Sequence, residues 1–217
     1  MPGVGVLVIP LMVIAVGDAR MSAGWLLPIL CTADIFAVWY WRRRAEAAQL
    51  FALAPWTLAG VAMGAVALAL PEKTLRPVVG LIILTMLALH IRRKLRPDTL
   101  AVSSHSATYG ISAGFATTVA NAAGPVMNLY LLSRRLPKEE FVATGAWFFF
   151  VINLTKIPIY LWHGLITPQS IAFDASMIPA VLCGALTGRW ILGRTSPATF
   201  EVLVLILTAI STVLLFR

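Results

Sequence analysis

Long apolar runs in this chain are separated by short clusters of Lys and Arg. Six of the runs approach the ~20 residues that a helix needs to cross a bilayer. They cover residues 21–41, 50–70, 74–90, 141–162, 171–192 and 198–216. Two further apolar segments break the pattern. Residues 2–17 are short, with Gly3 and Gly5 at the start. Residues 108–132 carry Gly110, Gly114, Asn121, Gly124, Pro125 and Asn128. Glycine and proline at that density disfavour one continuous helix. A break near Asn121 to Pro125 leaves two arms of about 10–14 residues, each ~15–20 Å long and too short to cross alone.

The pattern repeats. Pro55-Trp-Thr-Leu58-Ala-Gly60-Val-Ala-Met-Gly64 and Pro179-Ala-Val-Leu182-Cys-Gly184-Ala-Leu-Thr-Gly188 both read PxxLxGxxxG, 124 residues apart. Upstream, Ser22-Ala-Gly-Trp25 parallels Thr144-Gly-Ala-Trp147 at a spacing of 122, which sets Asp34 opposite Lys156. The repeat divides the chain into residues 1–97 and 98–217, each with three spanning helices and one broken or re-entrant Gly-rich segment. In the first half only the second arm of that segment is expected, beginning at Gly3, with the first arm expected to be missing.

Composition agrees with a membrane protein. The chain is 59% hydrophobic and 12% charged, and its mean hydropathy is +0.87. A soluble domain of 217 residues has no need of so much apolar surface. The net charge of +8 therefore speaks for basic cytoplasmic loops and not for nucleic acid. It also tests the topology. With every segment spanning and Arg42, Arg43 and Arg44 inside, Lys and Arg split eight inside against eight outside. With residues 108–132 as a hairpin whose ends share one side, the split becomes twelve against four. The positive-inside rule selects the hairpin. Three full spans per repeat is an odd number, so the two repeats are expected to be inverted in the membrane.

Met1 leads into apolar sequence without a basic stretch, so a cleavable signal peptide is not expected. Cys31 and Cys183 lie inside apolar segments with no metal-binding or disulfide spacing, and are read as small buried thiols. No HExxH, GxSxG, P-loop or paired catalytic carboxylates occur. An enzyme, a cofactor and a metal site are therefore not expected.

One residue stands out chemically. Lys156 sits in GAWFFFVINLTKIPIYL, residues 145–161. An ammonium at a helix centre costs roughly 2.5–3.5 kcal/mol on insertion scales, so it faces protein, a watery cavity or a negative ligand. Asn153, three residues earlier, shares its helical face. Tyr160 and Trp162 read as an interface belt, with Trp162 ~9 Å beyond Lys156 along a helix, which leaves snorkelling as the alternative for Lys156. Asp34 is the second intramembrane charge. It is open to pairing with a cation, carrying a coupled proton or simply answering the basic cluster that follows it. Tips of re-entrant segments present free backbone N–H groups, and a half-helix N-terminus favours an anion. Gly3 and Gly5 at one tip, and Asn121, Gly124 and Asn128 at the other, are candidate anion contacts.

These residues resemble a known group. GVGVLVIPLM resembles the GxGGGxxxxPxL signature of the sulfite exporter TauE/SafE family, although Gly5 and Val6 leave its triple glycine incomplete. SAGWLLPILCTADIFAVWYWRRR resembles the helix and basic loop that follow. GISAGFATTVANAAGPVMNLYLLSRRLPKEEFVATGAWFFFVINLTKIPIYL is similar to the second Gly-rich motif and its Asn-x-x-Lys-x-Pro helix. The resemblance implies transport of small sulfur-containing or organic anions, such as sulfite or organosulfonates, across the inner membrane. It places Gly3, Gly5 and Pro10 on the first motif, and Asn121, Gly124, Pro125, Asn153 and Lys156 on the second.

The expectation is thus an all-α polytopic secondary transporter with Gly3, Gly5, Asn121, Gly124, Asn128, Asn153 and Lys156 around an anion, and Asp34 as a proton or ion-pair group. Its partners are the anion and the lipid bilayer, with a homodimer as one further assembly. A passive anion channel and a non-transporting membrane interaction subunit are the rival readings.

Overall fold

The computed structural model describes residues 12, 16–17, 19–41, 43–95 and 106–214. Gly3, Gly5 and Pro10 lie outside the described residues. The described residues hold helices and no strand. This follows from the apolar patterning: away from water a backbone must pair its own polar groups, and a helix does so within one segment. The helices are α1 (Ala19–Trp41), α2 (Ala47–Ala67), α3 (Glu72–Leu95), α4 (Ser106–Ala120), α5 (Ala123–Ser133), α6 (Lys138–Trp162), α7 (Pro168–Arg194) and α8 (Pro197–Leu214).

Four stretches among the described residues are long and apolar enough to cross a membrane: Met21–Trp41, Ala47–Ala67, Lys138–Trp162 and Pro168–Arg194. The third helix expected in each half is shorter in its apolar part, Pro77–Arg92 in α3 and Pro197–Ile210 in α8. Large apolar side chains such as Phe51, Val66, Leu186 and Trp162 point outward. Such an outer surface suits lipid.

The break expected in residues 108–132 is present at Asn121 and Ala122, between α4 and α5. Asn121 has φ +50°, a left-handed conformation that ends the helix and that Asn tolerates better than most residues. The Ala122 N–H donates back to the Ala116 carbonyl (3.1 Å), closing the turn. The two arms then run antiparallel. Tyr109 near the start of α4 meets Tyr130 near the end of α5, with ring centroids 5.5 Å apart and the rings tilted by 57°. Arg134 Nη2 donates to Ser106 Oγ (3.3 Å). The segment is therefore a hairpin with adjacent ends.

The hairpin is the most buried part of the molecule. Ala116, Thr118, Ala123, Val126, Leu129 and Tyr130 have no exposed surface. The α2 helix packs on α4 through glycines on both sides. A Cβ on Gly60 would lie 2.2 Å from the Ile111 carbonyl oxygen, and one on Gly114 would lie 2.1 Å from that of Thr57. Only glycine allows backbones this close, the usual role of GxxxG in membranes. On the other side α1 packs against α6 and α7, and α5 rests on α8.

Two expectations are corrected at this level. Tyr160 is not part of an interface belt: it is fully buried, while Trp162 is exposed. Tyr160 lies four residues after Lys156, so both share the inward face. Both cysteines are free, but only Cys31 is buried; Cys183 is exposed on α7.

Candidate functional site

The hairpin tip meets α6 at Lys156. This side chain has no exposed surface, so it does not snorkel. Its ammonium donates to Asn121 Oδ1 (2.6 Å), Thr117 Oγ1 (3.0 Å) and the Thr117 carbonyl (3.4 Å). An ammonium has three donors, and three acceptors surround it. The acceptors belong to the last turn of α4 and to Asn121 just past it, at the negative end of the helix dipole. Tyr160 completes the enclosure. Its hydroxyl donates to the Thr118 carbonyl (2.9 Å), and its ring lies 5.6 Å from the ammonium.

Asn121 joins three elements. Besides accepting from Lys156, its Nδ2 donates to the Ala23 carbonyl on α1 (3.0 Å). The tip is thereby tied to α1 and α6 together. Gly24, next to Ala23, sits so close to Leu165 that a Cβ would lie 2.0 Å from the Leu165 carbonyl oxygen. Leu165 in turn follows Gly164, whose φ of +66° lets the end of α6 fold back.

Immediately past the break, α5 begins. Its first-turn amides at Ala123 and Gly124 have no partner within the helix, and no side chain caps them. Pro125 follows and brings no N–H of its own. Among the described residues nothing lies within 4 Å of the place a Cβ on Gly124 would occupy, so the backbone there is open to approach from them.

The arrangement has a clear electrostatic sense. At an ordinary helix break the negative end of one arm and the positive end of the next oppose each other. Here Lys156 is bound to the negative end of α4. What remains at the tip is the positive end of α5 and the excess charge of the ammonium. The tip is suited to an anion.

Not every candidate gathers at this point. Asn153 lies one turn before Lys156 but faces α1, where its Nδ2 donates to Asp34 Oδ2 (2.7 Å). Asp34 forms no ion pair with Lys156. Asn128 is buried further along α5, and its Nδ2 contacts Thr208 Oγ1 on α8 (3.4 Å). Thr117, Tyr160 and Ala23 were not among the residues singled out from sequence. Tyr160 had a signal in its spacing from Lys156; Thr117 acts through its hydroxyl as well as its carbonyl, and Ala23 through its carbonyl alone, for which a sequence carries no signal.

Searches of curated proteins and of solved structures returned no match. A family model, described as sulfite exporter TauE/SafE, matches residues 2–215. That match covers nearly the whole chain, and with the helical architecture above it places the protein: the chain belongs to the sulfite exporter TauE/SafE family, whose members are multi-pass membrane transporters and not enzymes.

Proposed function

We propose that the protein is a secondary transporter for small anions, sulfite or organosulfonates, in the inner membrane, and that the hairpin tip binds the anion. The observation that carries this reading is the burial of Lys156 against the C-terminal end of α4, which leaves the tip positive. The Ala123 and Gly124 amides donate to the anion, and Asn121 positions the ammonium. Asp34 holds Asn153 and fixes α1 against α6 at the level of the site. A sulfonate or sulfite group, compact and rich in acceptor oxygens, suits backbone amides at a helix start.

Inverted repeats give this site its means of alternating access. Helix α1 lies antiparallel to α6, since Asp34 meets Asn153 while Gly24 meets Leu165 and Glu46, just past α1, meets Thr144. Helix α1 runs parallel to α7, with Trp25 beside Phe173 and Tyr40 beside Arg189. These directions suit halves 1–97 and 98–217 related by an axis in the membrane plane. Transport is the rocking of one half against the other.

The test is anion flux in proteoliposomes with Lys156→Gln. Glutamine keeps a donor for Asn121 and removes the charge. Losing a charged hydrogen-bonding group costs about 1.5–3 kcal/mol, so substrate affinity should fall roughly ten- to hundredfold. A folded variant that transports as well as the parent overturns the site. Counterflow against a preloaded anion separates a transporter from a channel.

A further inference from the structure

A second carboxyl group lies within a span and is not used by the hairpin tip. Asp174 is on α7, one turn after Ser170 and on the same buried face. It is 7% exposed, and neither carboxyl oxygen has a hydrogen-bond partner. Ser170 cannot help. Its hydroxyl is held in the cap of α7, accepting from the Thr167 N–H (3.0 Å) and donating to the Thr167 carbonyl (2.9 Å). Across the interface on α1 stands Trp25, whose ring lies 5.7 Å from that of Phe173, the neighbour of Asp174. The Trp25 indole Nε1 is also buried and without a partner.

A buried acceptor and a buried donor on two packed helices are thus both unsatisfied. An ionised carboxylate in that state is among the most costly arrangements a protein can hold, whereas a protonated one is far cheaper. The other charged and titratable groups described on these helices lie elsewhere. Asp34 is nine residues beyond Trp25 along α1, ~13 Å away along the axis, and is held by Asn153. Cys31 is on the way to it. Tyr40 and Arg189 stack on each other toward the far end of the helix pair, where Arg194 also lies, over Trp190. From α6, Lys138 reaches α7 only at Leu192 (3.0 Å) and just beyond it at Thr195. Among the described residues no cation is paired with Asp174. A metal ion such as sodium or calcium needs several oxygen ligands, and a single carboxyl, with no cluster of ligating side chains among the described residues, does not supply them. A proton needs one.

We propose that Asp174 carries the proton coupled to anion transport, binding it in the conformation described here and releasing it when α1 and α7 shift. In the other conformation the ionised carboxylate accepts from the Trp25 indole. The step is a simple protonation: one proton adds to a carboxylate oxygen and leaves from the same oxygen. It rests on the transporter reading and names its driving ion.

Proteoliposomes separate the two. The probe is radiolabelled methanesulfonate, a permanent monoanion, so pH acts on the protein and not on the substrate. With voltage clamped at zero, a gradient of about one pH unit supports a roughly tenfold concentration ratio for one proton per anion. Wild type should reach a ratio of that order. Asp174→Asn, a fixed mimic of the protonated state, should keep counterflow exchange and show a ratio near one. Asp174→Glu should restore the gradient response. If Asp174→Asn does not fold, wild-type protein decides by carbodiimide labelling: the apolar reagent should modify Asp174, and modification should fall as pH rises. A tenfold ratio in Asp174→Asn with normal counterflow overturns the proton role alone, as does a failure of wild type to be labelled at this residue. Absence of counterflow in the wild type overturns the transporter reading and the coupling with it.

Discussion

Lys156 illustrates how a costly residue becomes tolerable. Its expense in hydrocarbon is offset by three acceptors, and those acceptors exist only because α4 ends where it does. Asn121 makes that ending. It adopts φ +50° and at the same time supplies the Oδ1 that Lys156 needs. The two roles can be separated. Asn121→Gly keeps the backbone conformation and loses both side-chain bonds, whereas Asn121→Ala loses the bonds and strains the backbone as well. Thermal melting in detergent should rank Ala below Gly by about 1 kcal/mol, with transport reduced in both. Equal melting of the two variants would show that the left-handed turn is not what Asn121 is there to provide. Asn121→Asp should instead stay folded and stop anion binding, because a carboxylate beside Lys156 cancels the positive tip.

Helices with the same motif have different surroundings in this protein. The PxxLxGxxxG copy on α2 packs backbone to backbone against α4, while a Cβ on Gly184 of the α7 copy would have no described residue within 4 Å, although Gly188 is buried. Adding side chains should therefore have unequal effects. Gly114→Val forces α2 and α4 apart and should cost at least the 1–3 kcal/mol typical of overpacking. Gly184→Val should change stability by no more than about 0.5 kcal/mol. Melting temperatures of the two variants in detergent check this, and comparable losses would mean that α7 is covered in the assembled protein. The motif was legible in the sequence, and so was the break after α4, because glycine, asparagine and proline act locally. That Gly60 is tightly packed and its counterpart Gly184 is open was not legible, since the packing of Gly60 depends on a helix some fifty residues away along the chain.

The whole molecule has a built-in topology test. The antiparallel hairpin places Arg135, just past α5, on the same side as Arg44, just before α2. Both are exposed, as is His163 at the end of α6. In a background with Cys31 and Cys183 replaced by Ser, an impermeant maleimide should label Arg44→Cys and Arg135→Cys only from the cytoplasm. His163→Cys should label only from outside. Labelling of Arg44→Cys and Arg135→Cys from opposite sides would mean that residues 108–132 cross the membrane, and the inverted arrangement would fail with it. The Tyr130 hydroxyl, bonded to Gln49 Oε1 on α2 (2.7 Å), marks the base of the hairpin at the Arg44 end of the bundle.

By itself the sequence determined what depends on neighbours along the chain: the apolar runs, the break at Asn121, the basic loops, and Lys156 as an unusual charge. Hydrophobic length, glycine freedom and loop charge act locally or through the membrane, so they survive in a one-dimensional string. Tertiary structure decided who meets whom. It gave Lys156 to the carbonyl end of α4, Asn153 to Asp34 and Asn128 to α8, although all had been candidates for one site. It also left Asp174 buried and unpaired, a state that no spacing could announce. Hydrogen-bond partners, many of them backbone carbonyls, are chosen by packing across the bundle, and packing has no local code.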